Sequence, residues 1–326
     1  MSEILAPCGA MESLTAAVSA GADAVYLGEE YFSARKNADN FTAEQLCDAV
    51  RFCHYSGVKV YVTLNTLVFD REIPLLAKAI ENCAKADVDA FIVQDMGVAR
   101  LSRQIVPELP LHASTQMTVN SPEGAIMAKE LGFTRVVLGR ELSFAQIKAI
   151  TESCDIETEL FVHGALCVCI SGQCYMSSVL GGRSGNRGLC AQPCRLDFTS
   201  GDRHNVLSLK DLSLTEKLPE LAKAGITSFK IEGRMKRPEY VAGAVNACRV
   251  ALDGGTPDLI SLKNVFSRSG FTSGYFDDDF KNMQGVRTKD DVTSATSKVL
   301  SAMKQYYHKP FRRFPADITV NVKSGQ

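Results

Sequence analysis

A chain of 326 residues with 45% hydrophobic content can build one barrel-sized domain of about 250 residues with an appendage, or two smaller domains. No apolar run approaches the roughly 20 residues that span a bilayer, and the opening MSEILAPCGAMESL lacks the basic and long apolar regions of a secretion signal, so it reads as the first strand of a cytoplasmic protein. A net charge of -1 excludes a global pull toward nucleic acid or membrane and leaves only local basic faces.

In chain order, short β-branched runs alternate with helical patterns, as in a parallel sheet built from βα units. Ile4-Leu5-Ala6 leads through Pro7-Cys8-Gly9 into a helix that stops at Gly21, and Ala24–Leu27 ends at Gly28. After an irregular insertion, EEYFSARKNADNF, Thr42 caps a helix with Gln45 three residues on, a capping box, and the helix stops at Gly57. Val58–Leu64 ends at Asn65, Ala90–Val93 ends at Gln94 and Asp95, and a run around Leu111 gives His112, Ser114 and Gln116. Val136–Leu138 ends at Arg140 and Glu141, Glu157–Val162 ends at His163, and Ser228–Ile231 closes with Lys230, Glu232 and Arg234 at alternate positions before a helix from Pro238. Between Cys194 and this last run lies an extra unit, an extended LDFT, a Gly-Asp turn and Leu209–Leu212 leading into a helix to Gly225.

Eight units predict an α/β fold: a (β/α)8, TIM-barrel-like domain over 1–254 with a cysteine-rich insertion after strand 7 and a partial C-terminal appendage over 255–326. An open doubly wound sheet is the competing architecture, but eight units fill the length and no G-x-G-x-x-G opens a helix. In a barrel the C-terminal strand ends converge, which would gather Asn65, Gln94, Asp95, His112, Gln116, Arg140, Glu141, His163, Lys230, Glu232 and Arg234. Residues 256–326 mix a polar, aromatic segment (FSRSGFTSGYFDDDF), a basic stretch (HKPFRR) and an alternating run at Ile318, Val320 and Val322. One strand cannot hide its apolar face alone, so the run is expected to open a further domain beyond the chain.

Six of the 11 cysteines, Cys8, Cys47, Cys53, Cys83, Cys154 and Cys248, are spread singly and read as small core hydrophobes. The other five crowd the segment 157–195 as Cys167-x6-Cys174-x15-Cys190-x3-Cys194, with Cys169 as a fifth that reads as a non-ligand. The stretch GGRSGNRG at 181–188 cannot offset its own ordering by apolar burial, so another bond must fix it. An odd count in a large chain without a secretion signal argues against a disulfide framework. Thiolate coordination is the alternative, and the wide gaps suit an iron-sulfur cluster better than structural zinc, with free or redox-active thiols as the third reading.

Glu159-x-Phe161-x-x-Gly164-Ala165-Leu166-Cys167-x4-Gly172-x-Cys174-x-Met176-Ser177 closely resembles the defining motif of the collagenase-like peptidases of family U32. LAPCGAMESL, GADAVYLG, VYVTLNT, VQDMGVARL, LHASTQMTVN, NRGLCAQPCR and FKIEGRMKRPEYV are similar to further parts of that family, extending the resemblance over residues 3–253. The stretch RSGFTSGYF resembles a subgroup that carries an additional C-terminal domain and includes ribosomal RNA hydroxylation proteins. The resemblance implies hydroxylation without dioxygen, on ribosomal or transfer RNA or the ubiquinone ring, with prephenate implicated for the RNA-modifying members. It also implies a four-iron four-sulfur cluster, whose matching ligand positions here are Cys167, Cys174, Cys190 and Cys194.

Such chemistry needs cations to clamp a small anionic oxygen donor, for which Arg140, Lys230 and Arg234 are the candidates, and proton-transfer groups, for which His112, His163, Glu141 and Glu232 stand at strand ends. RNA would meet Arg183, Arg187 and Arg195 beside the cysteines and Lys236 and Arg237 after the eighth strand, while Phe271, Tyr275 and Phe276 read as core rather than as stacking platforms. The competing classes are the collagenase-like peptidase of the family name and a non-catalytic iron-sulfur subunit that binds a partner. No G-x-S-x-G or H-E-x-x-H occurs, and His163 precedes Cys167 by only four residues.

Overall fold

The computed structural model describes residues 2–35 and 38–308. The stretch that follows His308 in HKPFRR and the alternating run at Ile318, Val320 and Val322 lie outside the described residues. Ten strands form one sheet: β1 (Glu3–Pro7), β2 (Ala24–Leu27), β3 (Lys59–Leu64), β4 (Ala90–Val93), β5 (Leu111–Ala113), β6 (Arg135–Val137), β7 (Glu157–Ala165), β8 (Asp211–Ser213), β9 (Ser228–Ile231) and β10 (Phe271–Thr272). Strands β1 to β7 pair in parallel in chain order, and β9 pairs with both β1 and β7, which closes an eight-stranded barrel. The sequence-predicted (β/α)8 architecture is therefore the observed one.

Alternation along each strand sets the two sides of the barrel wall. Ile4, Ala6, Val25, Leu27, Val60 and Val62 join the large core beneath the helices, whereas Leu5, Ala24, Tyr26, Tyr61, Ala90 and Ile92 form a separate cluster inside the barrel. The connecting helices are α1 (Met11–Ser19), α2 (Ala43–Tyr55), α3 (Ile73–Lys85), α4 (Met96–Ile105), α5 (Pro122–Glu130) and α6 (Phe144–Ser153). Thr42 and Gln45 form the expected capping box on α2, and Asp95 caps α4 through the N–H groups of Gly97 and Val98, so this strand-end carboxylate is spent on structure. Cys8, Cys53, Cys83 and Cys248 are buried among these core side chains, as expected of small hydrophobes.

Strand β7 runs three residues past its expected end because β8 adds an antiparallel edge there, pairing His163, Gly164 and Ala165 with Ser213, Leu212 and Asp211. The cysteine segment, with α7 (Met176–Gly181), occupies the connection from β7 to β8; α8 (Leu218–Lys223) and α9 (Pro238–Leu252) flank β9. The sequence assigns residues beyond 254 to an appendage; in the structure α10 (Leu259–Val265), α11 (Lys289–Thr293) and α12 (Ser297–His308) follow, and Leu262, Val265, Phe276, Met283 and Met303 join the barrel's own core cluster. Gly243 on α9 admits Met303, whose sulfur lies 2.7 Å from where a Cβ would stand. Among the described residues no helix is long and apolar enough to cross a membrane.

Inside the barrel the apolar cluster gives way to a charge network. Glu159 on β7 accepts from Lys230 on β9 at 2.7 Å and lies 3.4 Å from Arg135 on β6, which also bonds Glu3 on β1 at 2.8 Å and Glu157 at 2.7 Å. Lys230 stands 4.4 Å from the Tyr26 ring centroid, and His112 meets Tyr61 edge-on at 4.8 Å. The network thus ties four adjacent strands, β6, β7, β9 and β1, across the seam that closes the barrel. Removing one partner of a buried pair strands the other charge, so Glu159→Ala is expected to cost about 3–5 kcal/mol in chemical denaturation. An unchanged unfolding midpoint would contradict this role.

The cysteine segment, poor in apolar side chains, is fixed to the barrel by polar tethers. The Arg187 guanidinium forks onto Glu72 at 3.0 and 2.5 Å, donates to the Leu67 carbonyl and lies over Phe69. Arg195 donates to the carbonyls of Leu166 and Leu209, and Glu141 accepts from both the backbone N–H and the hydroxyl of Ser171. Arg187 and Arg195, proposed on sequence as RNA contacts, are thus consumed internally. Glu72→Ala is expected to speed tryptic cleavage at Arg183 or Arg187 severalfold while leaving the global melting temperature nearly unchanged, because the pair is partly solvated. Cleavage no faster than in the parent would show that Arg187 does not hold the loop.

Candidate functional site

The eleven strand-end residues do not all meet. The structure divides them between the mouth, the barrel interior and the outer wall. Lys230 and His112 lie in the interior beneath the mouth, Lys230 bound to Glu159 and His112 packed on Tyr61, neither placed as the strand-end clamp or proton carrier that the sequence suggests. Burial, then the charges of Arg135 and Lys230, hold His112 well below the usual histidine range, so it is neutral at neutral pH. His163 faces the outer wall, 5.0 Å from the Phe271 ring, 5.8 Å from that of Tyr240, and 3.4 Å from Ser213 through Nδ1. Burial takes it down to about 4. The reason lies one residue on and one before: the pairing of β7 with β9 shifts register between Phe161 and His163, so the alternation that the sequence reading assumed breaks there.

At the mouth stand Glu232, Arg234 and Arg140, joined by Arg35. The Arg35 guanidinium donates to Glu232 at 3.1 Å. Burial alone would raise the Glu232 carboxyl, but Arg35, Arg140 and Arg234 outweigh it and hold the group below the usual carboxylate range. Arg234 donates to Ser33 at 2.6 Å and Thr63 at 2.9 Å, and burial lowers it to about 10. Arg140 bonds the Ala165 carbonyl at 3.3 Å and lies over Phe161 at 5.1 Å, leaving most of its donors uncommitted. Asn65 accepts from the Ala34 N–H, shaping the loop that presents Arg35. Arg35 was invisible as a site residue in sequence because it sits in the irregular insertion after β2. The only signal was that a long loop at a C-terminal strand end carries a cation.

The cysteine segment passes over this mouth. Gly172, at a φ of +73°, lies where a Cβ would stand 3.7 Å from the Arg140 guanidinium and 3.9 Å from Gln116, and Gln173 donates to the Gln116 carbonyl. Gly164, at +115°, permits the approach of β7 to Glu232, whose carbonyl oxygen would be 2.5 Å from an added Cβ. All eleven cysteines are free thiols. Burial raises Cys194 above the ordinary thiol range; Arg195 opposes the rise, and Cys167, Cys190 and Cys174 add to it. Cys190 in turn acts on Arg35.

The donor set fits a thiolate-held centre. The N–H groups of Met176 and Gln192 point at the sulfurs of Cys174 and Cys190 at 3.4 and 3.3 Å, and the Ser177 hydroxyl lies 3.9 Å from Cys190. Such N–H···S bonds stabilise anionic sulfur and tune metal-sulfur centres. Among the described residues no three His, Cys, Asp or Glu side chains converge as ligands of a single metal ion. Cys169 lies beside Cys167, Cys174 and Glu141, which together with burial keep its thiol protonated. Phe276 packs on Phe144 and Phe271 on His163, the core roles that the sequence suggests.

Comparison with known proteins agrees with this architecture. The model of peptidase family U32 matches residues 9–284. The chain is 43% identical over 284 residues to the 23S rRNA 5-hydroxycytidine C2501 synthase of Escherichia coli, covering 84% of this chain and 42% of that protein. It is 38% identical over 270 residues to a tRNA hydroxylation protein of Bacillus subtilis, covering 78% and 64%, and 36% identical over 306 residues to a collagenase of Porphyromonas gingivalis, covering 84% and 73%. The chain therefore spans less than two thirds of the length of the first two relatives. A solved U32 peptidase shares the fold at a TM-score of 0.52 and 16% identity, over 72% of this chain and 93% of that one. A motif-bearing β7, a closed eight-stranded barrel and a family match over most of the length agree: the chain belongs to peptidase family U32.

Proposed function

We propose that this chain is the barrel of an RNA-modifying hydroxylase that works without dioxygen and depends on an iron-sulfur cluster held by Cys167, Cys174, Cys190 and Cys194. The observation that carries the reading is the course of the cysteine segment, which meets the mouth where Gly172 lies beside Arg140 and Gln173 donates to the Gln116 carbonyl. The names of the E. coli and B. subtilis relatives supply the substrate class, ribosomal RNA in the first place and transfer RNA in the second. RNA as substrate sets the reaction in the cytoplasm.

When bound, a four-iron four-sulfur cluster would supply electron transfer next to the substrate. The chain's own groups do the remaining work. Arg140 offers its free donors to a carboxylate of a small anionic oxygen donor, such as prephenate, and Arg35 adds a second cation across the mouth. Glu232, kept ionised by its three arginines, is the proton acceptor among the candidates that stand at the mouth. The cysteine segment above Arg140 and Gln116 narrows the entrance and limits water.

Peptide hydrolysis, the reaction of the family name, finds less support. A thiol nucleophile needs a base within hydrogen-bond reach, and His163 instead faces Ser213, Phe271 and Tyr240, where burial makes it a weak base.

Protein purified anaerobically and reconstituted with iron and sulfide is expected to be coloured and to hold both elements. Cys174→Ala should lose the iron while retaining cooperative thermal unfolding of the barrel. A colourless parent protein without iron or labile sulfide would overturn the cluster. For the substrate, nucleoside mass spectrometry of ribosomal and transfer RNA from a deletion strain should show the loss of one oxygen from one modified nucleoside. An unchanged RNA profile would reject hydroxylation and favour a non-catalytic iron-sulfur subunit.

A further inference from the structure

A second cluster of cations lies past the C-terminal end of β9, beyond Glu232 and Arg234 on the loop that leads into α9. Lys236, Arg237 and Arg287 line a cavity of about 350 Å³ whose apolar floor includes Val265, Phe266 and Val292. Among the described residues no carboxylate lines it. Three cations crowd one ring: the Lys236 ammonium is 2.9 Å from the Phe266 centroid, and the guanidinium carbons of Arg287 and Arg268 are at 4.3 and 5.2 Å. Of the nearby carboxylates, Asp211 offsets one of these three charges by binding Arg268 at 2.5 Å, Glu239 pairs with Lys304, and Asp291 accepts from the N–H groups of Thr288 and Ser269.

Like charges held together at a partly buried site repel one another, and attraction to a single aromatic face offsets only about 1–2 kcal/mol of that. Burial, and after it Arg268, bring Lys236 down to about 7. An anion between Lys236 and Arg287 would offset the repulsion between them. A planar carboxylate satisfies one fork, whereas a tetrahedral phosphate presents oxygens in several directions, matching donors that come from two separate stretches, the loop after β9 and the Arg287 loop. The loop after the last barrel strand, leading into the next helix, is also a region where barrels of this architecture bind phosphate.

We propose that this cavity binds a phosphate group through Lys236, Arg237 and Arg287, with Phe266 as its floor. The site is separate from the cysteine segment and does not require the cluster. Its volume exceeds that of the bare ion, so it accepts phosphate carried on a larger molecule, either a free phosphate ester or one unit of an RNA backbone.

Calorimetric titration of the full chain with inorganic phosphate, a nucleoside 5′-monophosphate and a short single-stranded RNA tests this. Arg287 and Arg237 are exposed and Lys236 is partly so, hence Arg287→Ala and Lys236→Ala should leave the melting temperature unchanged. Each is expected to weaken phosphate binding by about tenfold or more, whereas Lys148→Ala on α6 should not. Loss of RNA affinity in the same variants assigns the site to the RNA backbone; loss of monophosphate affinity alone assigns it to a free ester. Absence of phosphate binding by the parent protein at millimolar ligand, or equal affinity in parent, Arg287→Ala and Lys236→Ala, would overturn the proposal.

Discussion

Glu159, fully buried inside the barrel, is the carboxylate on which the rest of the structure depends. It lies on β7, the strand that both closes the barrel against β9 and carries the cysteine segment at its far end. An unpaired carboxylate in that setting would be prohibitively costly, so it must be met by Lys230 and Arg135, and meeting them fixes the register of β9 and β6 against β7. Arg135 then extends the constraint to Glu3 on β1. The barrel seam is locked by charge where most barrels of this class rely on branched apolar side chains.

That lock determines what the mouth can contain. With Lys230 drawn down onto Glu159, Arg35, Arg140 and Arg234 stand at the top among the described residues, and of these Arg234 is held by Ser33 and Thr63. Glu232 is the counterweight, and the three arginines keep it charged. Above them the cysteine segment has almost no apolar anchor of its own. Its position rests on Arg187 with Glu72, Arg195 with the Leu166 and Leu209 carbonyls, and Glu141 with Ser171. Charges that looked like functional residues thus divide into those that hold the four thiols in place and those that face the mouth.

The barrel was legible in the sequence because each βα unit carries its own local signal: a β-branched run, a polar end, and helix caps such as Thr42 with Gln45. The cysteine segment was legible from spacing and from its motif. Residue roles were harder to read, because they depend on which side of the wall a side chain faces. The alternation that places Glu159 and Phe161 inside fails at His163, where the register shift turns the imidazole outward. Pattern alone puts Lys230 and His112 at the mouth, because it cannot tell a strand's last exposed residue from its last buried one. An irregular loop has no period, so pattern does not single out Arg35, and only the folded chain shows it reaching past β1, nearly 200 positions along the sequence, to Glu232.

A thiolate-held cluster and an RNA substrate are tested together by complementation. A strain lacking this protein would be supplied with either the parent gene or its Cys174→Ala variant, and the modified nucleoside measured by mass spectrometry at matched protein levels. The parent should restore the added oxygen and the variant should not, although the variant accumulates as folded protein. Full restoration by Cys174→Ala would show that the reaction does not depend on a cluster held by Cys174.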